Sequence, residues 1–181
     1  MAEVKDEPEP TKPSLSAPVP LTAGHDSAAF DCGEPALNDW LRHRALKNES
    51  RFSRTYVICE GKRVVGYFCI LAGAVERAAA PGKVRRNAPD TIPVSVIGRL
   101  AVSLDHAGKG LGADLLLDAL RRIAAASQSI GIAAVLVHAK DDKATRFYLK
   151  CAEFIEYPTD SRTLFLPIET VVGGGWPRRP P

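Results

Sequence analysis

A Cys-x-x-Cys pair is missing from this sequence, as is any histidine at zinc-finger spacing from its four cysteines, Cys32, Cys59, Cys69 and Cys151. That excludes the common structural zinc sites, and no metal is expected. Three of the four stand in apolar surroundings, the setting of free buried thiols. No apolar run reaches the length that crosses a bilayer, so no membrane span is expected. The first residues are acidic and proline-rich where a secretory signal would be apolar. A cytoplasmic protein with reduced thiols is the expectation. The chain also has no internal repeat.

What is present suits one soluble domain. The 181 residues are 45% hydrophobic and 25% charged, which allows a sizeable core. The net charge is +3, yet residues 1–12 carry Glu3, Asp6, Glu7 and Glu9 against Lys5 and Lys12. The remainder is therefore more basic than the whole, a mild bias toward anionic partners. Residues 1–18, with Pro8, Pro10, Pro13 and Pro18 among charges, read as a disordered tail. Residues 19–170 read as the folded domain. Residues 171–181 read as a flexible end, in which Trp176 is a docking anchor or a loosely packed side chain.

The pattern between the tails mixes strands and helices. Val19–Leu21 reads as a short edge strand, since Pro20 cannot serve a central one. A helix is expected over Glu34–Asn48, with Pro35 in its first turn and Leu37, Leu41 and Ala45 at helical spacing. Thr55–Glu60 and Arg63–Ala74 form a hairpin through Gly61-Lys62. Lys83–Pro89 reads as a basic loop. Pro93–Leu104 is an apolar strand, followed by a helix over Ala113–Ser127 and a buried strand at Ile132–His138. A short helix, Asp142–Lys150, precedes closing strands at Phe154–Tyr157 and Thr163–Leu166.

The turn Gly108-Lys109-Gly110-Leu111-Gly112 joins that apolar strand to a helix. Glycines let successive backbone N–H groups point into one concavity, and the helix start adds free donors and positive potential. Lys109 adds a charge, and the whole suits a pyrophosphate. The P-loop pattern G-x-x-x-x-G-K-[ST] is absent. The spacing is G-x-G-x-G in mid-chain, unlike the G-x-G-x-x-G of a dinucleotide fold. A plain strand–helix turn remains the alternative.

The residues around this turn resemble the GNAT superfamily of acetyltransferases. Gly98-Arg99-Leu100-Ala101-Val102, the glycine turn and Leu115-Leu116 are similar to its acetyl-CoA motif Q/R-x-x-G-x-G/A, which falls here on Ala107 to Gly112. Ala107 stands where that motif has Gln or Arg. Phe30-Asp31-Cys32-Gly33, Leu37, Trp40-Leu41, Ala139-Lys140-Asp141, Phe147-Tyr148 and Thr163-Leu164-Phe165-Leu166-Pro167 resemble the GNAT toxins of bacterial toxin–antitoxin modules. Ala152-Glu153 precedes Phe154, where that family often has a single Gly.

The resemblance implies an α+β fold, with a mixed central sheet of six to seven strands and about four flanking helices. It implies a splayed V between two central parallel strands. Acetyl-CoA is the implied cofactor, bound by Leu100, Ala101, Val102, Ala107, Gly108, Lys109, Gly110, Leu111, Gly112, Ala113, Asp141 and Phe147. Tyr148 is implied as the general acid for the coenzyme A sulfur; an aromatic beside Phe147 on a short helix also reads as core. The implied activity is acetylation of the α-amine of aminoacyl-tRNA, which blocks translation. Implied partners are a ribbon-helix-helix antitoxin and a second copy of the chain as homodimer, with operator DNA reached only through the antitoxin.

Among many basic residues, Lys83, Arg85 and Arg86 cluster best as tRNA contacts. Arg99, a charge in an apolar strand, meets an acidic partner or faces the substrate. No general base stands out. His106 reads as an exposed loop residue, His138 as a strand end near the cleft, and His25 and His43 lie outside the motif. Acetylation of a small amine or protein amine, and acyl-CoA binding without catalysis, remain the alternatives.

Overall fold

The computed structural model describes residues 13–174. Seven strands form one sheet, in the order β1-β2-β3-β4-β5-β7-β6. These are β1 (Val19–Pro20), β2 (Arg54–Glu60), β3 (Arg63–Glu76), β4 (Thr91–Val102), β5 (Ala134–His138), β6 (Ile155–Tyr157) and β7 (Asp160–Pro167). The β2–β3 hairpin turns at Gly61, whose φ of 64° is the left-handed conformation a two-residue turn requires there.

Among these seven strands only β4 and β5 pair in parallel, and the helix α4 (Leu111–Ala126) makes the crossover between them. Their register covers Val94–Ile97 against Ala134–Val137 and then stops. β4 continues to Val102 paired with β3 alone, so a gap opens on its other side. A bulge lies where the two strands part: Cys69 faces Arg99 while the next residue, Ile70, faces Ile97, leaving Gly98 as the extra residue. Such a bulge bends its strand and sharpens the twist. A side chain at Gly98 would crowd Leu71 and Cys69, with a Cβ 2.8 Å from the Leu71 Cδ2.

Each sheet face carries its own core. On one face α4 buries Leu111, Leu115, Leu116, Ala119, Leu120 and Ile123, a helical stripe, against Val65, Phe68, Val135 and Leu164. On the other face Phe30, Trp40 and Leu41 cover Val57, Tyr67 and Ala101. A third cluster joins Val84 to Ile92, Leu136 and Phe165 on that second side.

Several expected boundaries move. The helix expected over Glu34–Asn48 is two, α1 (Pro35–His43) and α2 (Ala45–Asn48), broken at Arg44. Both halves turn buried residues inward, so the apolar spacing ran unbroken through the kink. The expected loop at Lys83–Pro89 contains a single helical turn, α3 (Gly82–Arg85), because Val84 is drawn into the third cluster. The expected start of α4 at Ala113 lies two residues late. The helix α5 (Asp142–Cys151) follows β5.

Both domain ends also extend. The Ser16 N–H donates to the Cys59 carbonyl at 2.8 Å, and Ser16 Oγ accepts from the Cys59 N–H at 2.9 Å. Residues 13–18 thus lie along β2, where the sequence read as tail. The last element, α6 (Ile168–Val172), buries Val171 completely in the α4 core, where a flexible end was expected. The tail reading for residues 1–12, and the role of Trp176, lie outside the described residues.

Candidate active site

The gap beside β4 exposes backbone. The Ser103 N–H donates to the Val65 carbonyl at 2.8 Å. By the alternation of an antiparallel ladder, Ala101 and Arg99 also turn their backbone groups toward β3. Leu100 and Val102 therefore present theirs to the gap. Where β4 ends, the chain runs through a 3-10 turn at Leu104–His106 into the glycines. Gly108 and Gly110 take φ of 74° and 82°, and a Cβ on either would meet nothing within 4 Å. Glycine is thus required there by conformation and not by crowding.

Gly110 caps α4, and the Asp114 N–H is the first of the helix to find a carbonyl, that of Gly110 at 3.1 Å. The N–H groups of Leu111, Gly112 and Ala113 precede it and belong to the free set at a helix start. A helix of 16 residues places the positive end of its dipole at the same point. Donors and potential together make an anion cradle.

The cradle opens into a cleft of about 640 Å³ between α4, the end of β4 and α5. That volume lies in the usual range for a small-molecule site. Of the residues singled out in the sequence, Leu100, Ala101, Val102, Ala107, Gly108, Gly110, Leu111, Gly112, Ala113, Asp141, Phe147 and Tyr148 all line it. Phe147 packs against Gly112, where a Cβ would stand 3.4 Å from the ring. Asp141 caps α5, accepting from the Ala144 N–H at 2.7 Å, and that bond followed by Lys140 holds its carboxyl below the usual range.

Lys109 departs from its expected place. Its Nζ reaches the Asp105 carbonyl at 3.4 Å and the residue does not line the cleft. The cationic rim comes from Lys140, Lys143 and Lys150. Lys140 is shared with Glu34 at 2.6 Å and Asp141 at 3.4 Å.

Tyr148 is 7% exposed, between Phe147 at 5.1 Å and Phe154 at 5.7 Å, both edge-to-face. Among the described residues its hydroxyl has no hydrogen-bond partner. Burial, and secondarily the nearby Cys151 and Cys69 thiols, push the phenol above its ordinary value. A phenol in that state keeps its proton at neutral pH and can donate it.

Four features escaped the sequence reading. His106, expected as an exposed loop residue, is buried on the cleft wall. Its Nδ1 lies 3.2 Å from the Ser103 Oγ and 3.1 Å from Asp105, and its Nε2 lies 3.7 Å from Glu60. Asp105 also pairs with Arg63 at 2.5 Å, so the hairpin is tied to the loop before the glycines. On α4, Leu117 and Leu120 wall the cleft beside Leu116 of the motif; on α5, Ala144 and Cys151 do. The spacing Ala144, Phe147, Tyr148, Cys151 is a helical stripe and was the available signal.

The expected substrate contacts separate. Arg85 and Arg86 share a different groove with Arg77, Glu76 and Asp90, away from the cleft, and Lys83 lies on the same short helix. Arg99 meets no acidic partner among the described residues; it lies over Trp40. His138 is exposed and contacts Thr163 at 3.2 Å, and His25 contacts Thr22. No helix among the described residues is long and apolar enough to cross a membrane, and no metal-binding group of His, Cys, Asp or Glu occurs among them.

Comparison with known proteins meets this geometry. A tRNA-acetylating toxin of Mycobacterium tuberculosis is 46% identical over 152 residues, 83% of this chain and 91% of that protein. The structure of AtaT complexed with acetyl-methionyl-tRNAfMet superposes with a TM-score of 0.78 at 32% identity, covering 87% of this chain and 97% of AtaT. A mutant AtaT bound to the C-terminus of its antitoxin AtaR gives 0.73 at 30%, covering 87% and 95%. The Acetyltransferase (GNAT) family matches residues 21–154. Strand gap, glycine cradle and sequence agree, and the chain belongs to the GNAT family of acetyltransferases.

Proposed function

We propose that this protein is an acetyl-CoA-dependent N-acetyltransferase that acetylates the α-amine of aminoacyl-tRNA and thereby blocks translation. The observation that carries the chemistry is Tyr148, a buried phenol without a partner among the described residues, on the wall of a cleft whose other end is an anion cradle. The substrate class is supported by the M. tuberculosis relative and by AtaT in its tRNA complex.

The residues fit acetyl-CoA on their own evidence. The free N–H groups of Leu111, Gly112 and Ala113, with the open space at Gly108 and Gly110, suit a pyrophosphate. The apolar wall of Leu116, Leu117, Leu120 and Phe147 suits a pantetheine arm, and the backbone groups of Leu100 and Val102 are placed to pair with its amides. When bound, acetyl-CoA supplies an acetyl group activated as a thioester. A backbone N–H of the β4 edge polarises a carbonyl held there. Tyr148 holds a proton on Oη for a leaving thiolate. Ala107 brings no polar side chain where the family pattern has Gln or Arg, which removes one side-chain contact and leaves the backbone donors of Leu111, Gly112 and Ala113 in place.

No side chain is required as general base: the neighbouring ester acidifies the amine of an aminoacyl ester, so that much of it is neutral at pH 7, and water takes the proton released as the N–C bond forms. Lys83, Arg85 and Arg86 hold phosphates farther along the RNA. The partners are an antitoxin of the ribbon-helix-helix class, through which operator DNA is reached, and a second copy of the chain. The site of action is the cytoplasm, where charged tRNA is found. The test is incubation of the purified protein with labelled acetyl-CoA and charged tRNA. Label in the aminoacyl fraction is expected. Label only in small amines or protein, or binding without transfer, refutes the reading.

A further inference from the structure

Arg99 stands in the stretch of β4 that lacks β5, one residue before Leu100 of the coenzyme cleft. Its side chain leaves the sheet on the opposite face from that cleft, the face that holds its cross-strand neighbour Cys69 together with Tyr67 and Ala101. There its guanidinium carbon lies 4.4 Å from the centre of the Trp40 ring. Trp40 is stacked on Tyr67, with centroids 5.8 Å apart and planes at 13°. Phe30 braces Tyr67 edge-on at 5.5 Å, and the Tyr67 hydroxyl donates to the Leu37 carbonyl at 2.8 Å. A cation is thus mounted on a rigid aromatic column.

An aromatic face holds a guanidinium without neutralising it, and the N–H fork stays available to an anion. One interaction of Arg99 is with the Cys69 thiol. No carboxylate pairs with it among the described residues. A half-buried cation with no counter-ion is poorly solvated, a deficit that a bound anion removes. The groove in front of it, about 550 Å³, is lined by Asp39, Trp40, His43, Arg44, Asn48 and Arg99. The break between α1 and α2 falls at Arg44, on its rim. Two arginines outnumber the one carboxylate.

We propose that this groove holds the phosphodiester next to the 3′ end of the acceptor RNA, with Arg99 binding the phosphate and Trp40 positioning Arg99. This rests on the aminoacyl-tRNA reading above. The α4 face of the gap belongs to the coenzyme, so the acceptor amine comes from the α1 face. An aminoacyl ester delivered to the gap beside Leu100 brings the nearest phosphate of its RNA past Arg99. A small amine or a peptide brings none.

The experiment compares two acceptors in the full-length protein: aminoacyl-tRNA and the methyl ester of the same amino acid, which has no phosphate. Arg99→Gln is expected to lower the preference for RNA over ester, as a ratio of kcat/KM, by roughly 30-fold, the size of one charge-assisted contact. Arg99→Lys keeps the charge but not the fork and falls between. Should Arg99→Gln not fold, Arg44→Gln on the exposed rim shifts the same ratio in the same direction by several-fold. An unchanged ratio overturns the proposal. If wild type leaves aminoacyl-tRNA unacetylated, the underlying reading fails instead. Binding of a cytidine-cytidine-adenosine RNA, followed by fluorescence anisotropy, then tests the groove alone: weaker binding by Arg99→Gln supports it, and equal binding overturns it.

Discussion

Tyr148 meets Phe154 edge-on, with ring centroids 5.7 Å apart and planes at 70°. The contact holds the ring without engaging its hydroxyl. Removal of that oxygen therefore leaves the packing in place. Tyr148→Phe is expected to melt within a few degrees of wild type and to bind acetyl-CoA normally. Its kcat should fall by roughly 10²–10³, the usual contribution of one positioned acid. A kcat near that of wild type removes Tyr148 from the mechanism. Because burial raises the phenol, no loss of kcat from its ionisation is expected below about pH 10.

Gly110 and Gly61 share a left-handed φ, 82° and 64°, with open space at both. Alanine at either position costs about 1 kcal/mol of stability through backbone strain. Only Gly110 belongs to the cradle. Gly110→Ala should raise the KM for acetyl-CoA several-fold, while Gly61→Ala should leave it unchanged at matched stability. An equal KM for the two variants contradicts the assignment of the cradle.

Asp105 is held well below the ordinary carboxyl value, first by the Ser103 hydroxyl, then by Arg63 and His106. A carboxyl depressed in the native state stabilises the fold above its unfolded value and loses that contribution as pH falls through the native one. The window opens below about pH 4. Asp105→Asn removes the titrating group. Its melting temperature should drop less than that of wild type between pH 7 and pH 3. Parallel drops would falsify the network. Asp31, Asp141 and Asp160 are lowered as well, and affect both proteins alike.

Charge removal at Lys83, Arg85 and Arg86 tests the more distant RNA contact. The groove holding Arg85 and Arg86 lies apart from the coenzyme cleft. The triple variant should keep its affinity for acetyl-CoA and bind tRNA more weakly. The slope of log affinity against log salt should become shallower by about one for each phosphate that is no longer neutralised. An unaltered slope places the RNA elsewhere.

The cradle was legible because its determinants are local. Glycines at 108 and 110 and the helical stripe of α4 act within a few residues, and twelve of the expected site residues line one cleft. The break of α1–α2 at Arg44 was hidden because both halves bury the same face. His106 was misread because its partner Glu60, and the Arg63 that holds the neighbouring Asp105, come from a hairpin more than 40 residues away. Val171 looked like tail because its burial depends on α4, 45 or more residues earlier.

By itself the sequence determined the strand–glycine–helix cradle, the order of elements and, through resemblance, the family, and it singled out Tyr148 as the candidate acid. These follow from φ preferences, apolar period and motif spacing, which are properties of neighbours along the chain. Tertiary structure alone decided where charge is left over. Lys109 was turned away from the cleft, Lys140, Lys143 and Lys150 were brought to it, and Arg99 was set on Trp40 instead of a carboxylate. Charge acts through space, across strands and layers, so its balance is settled only when distant segments meet.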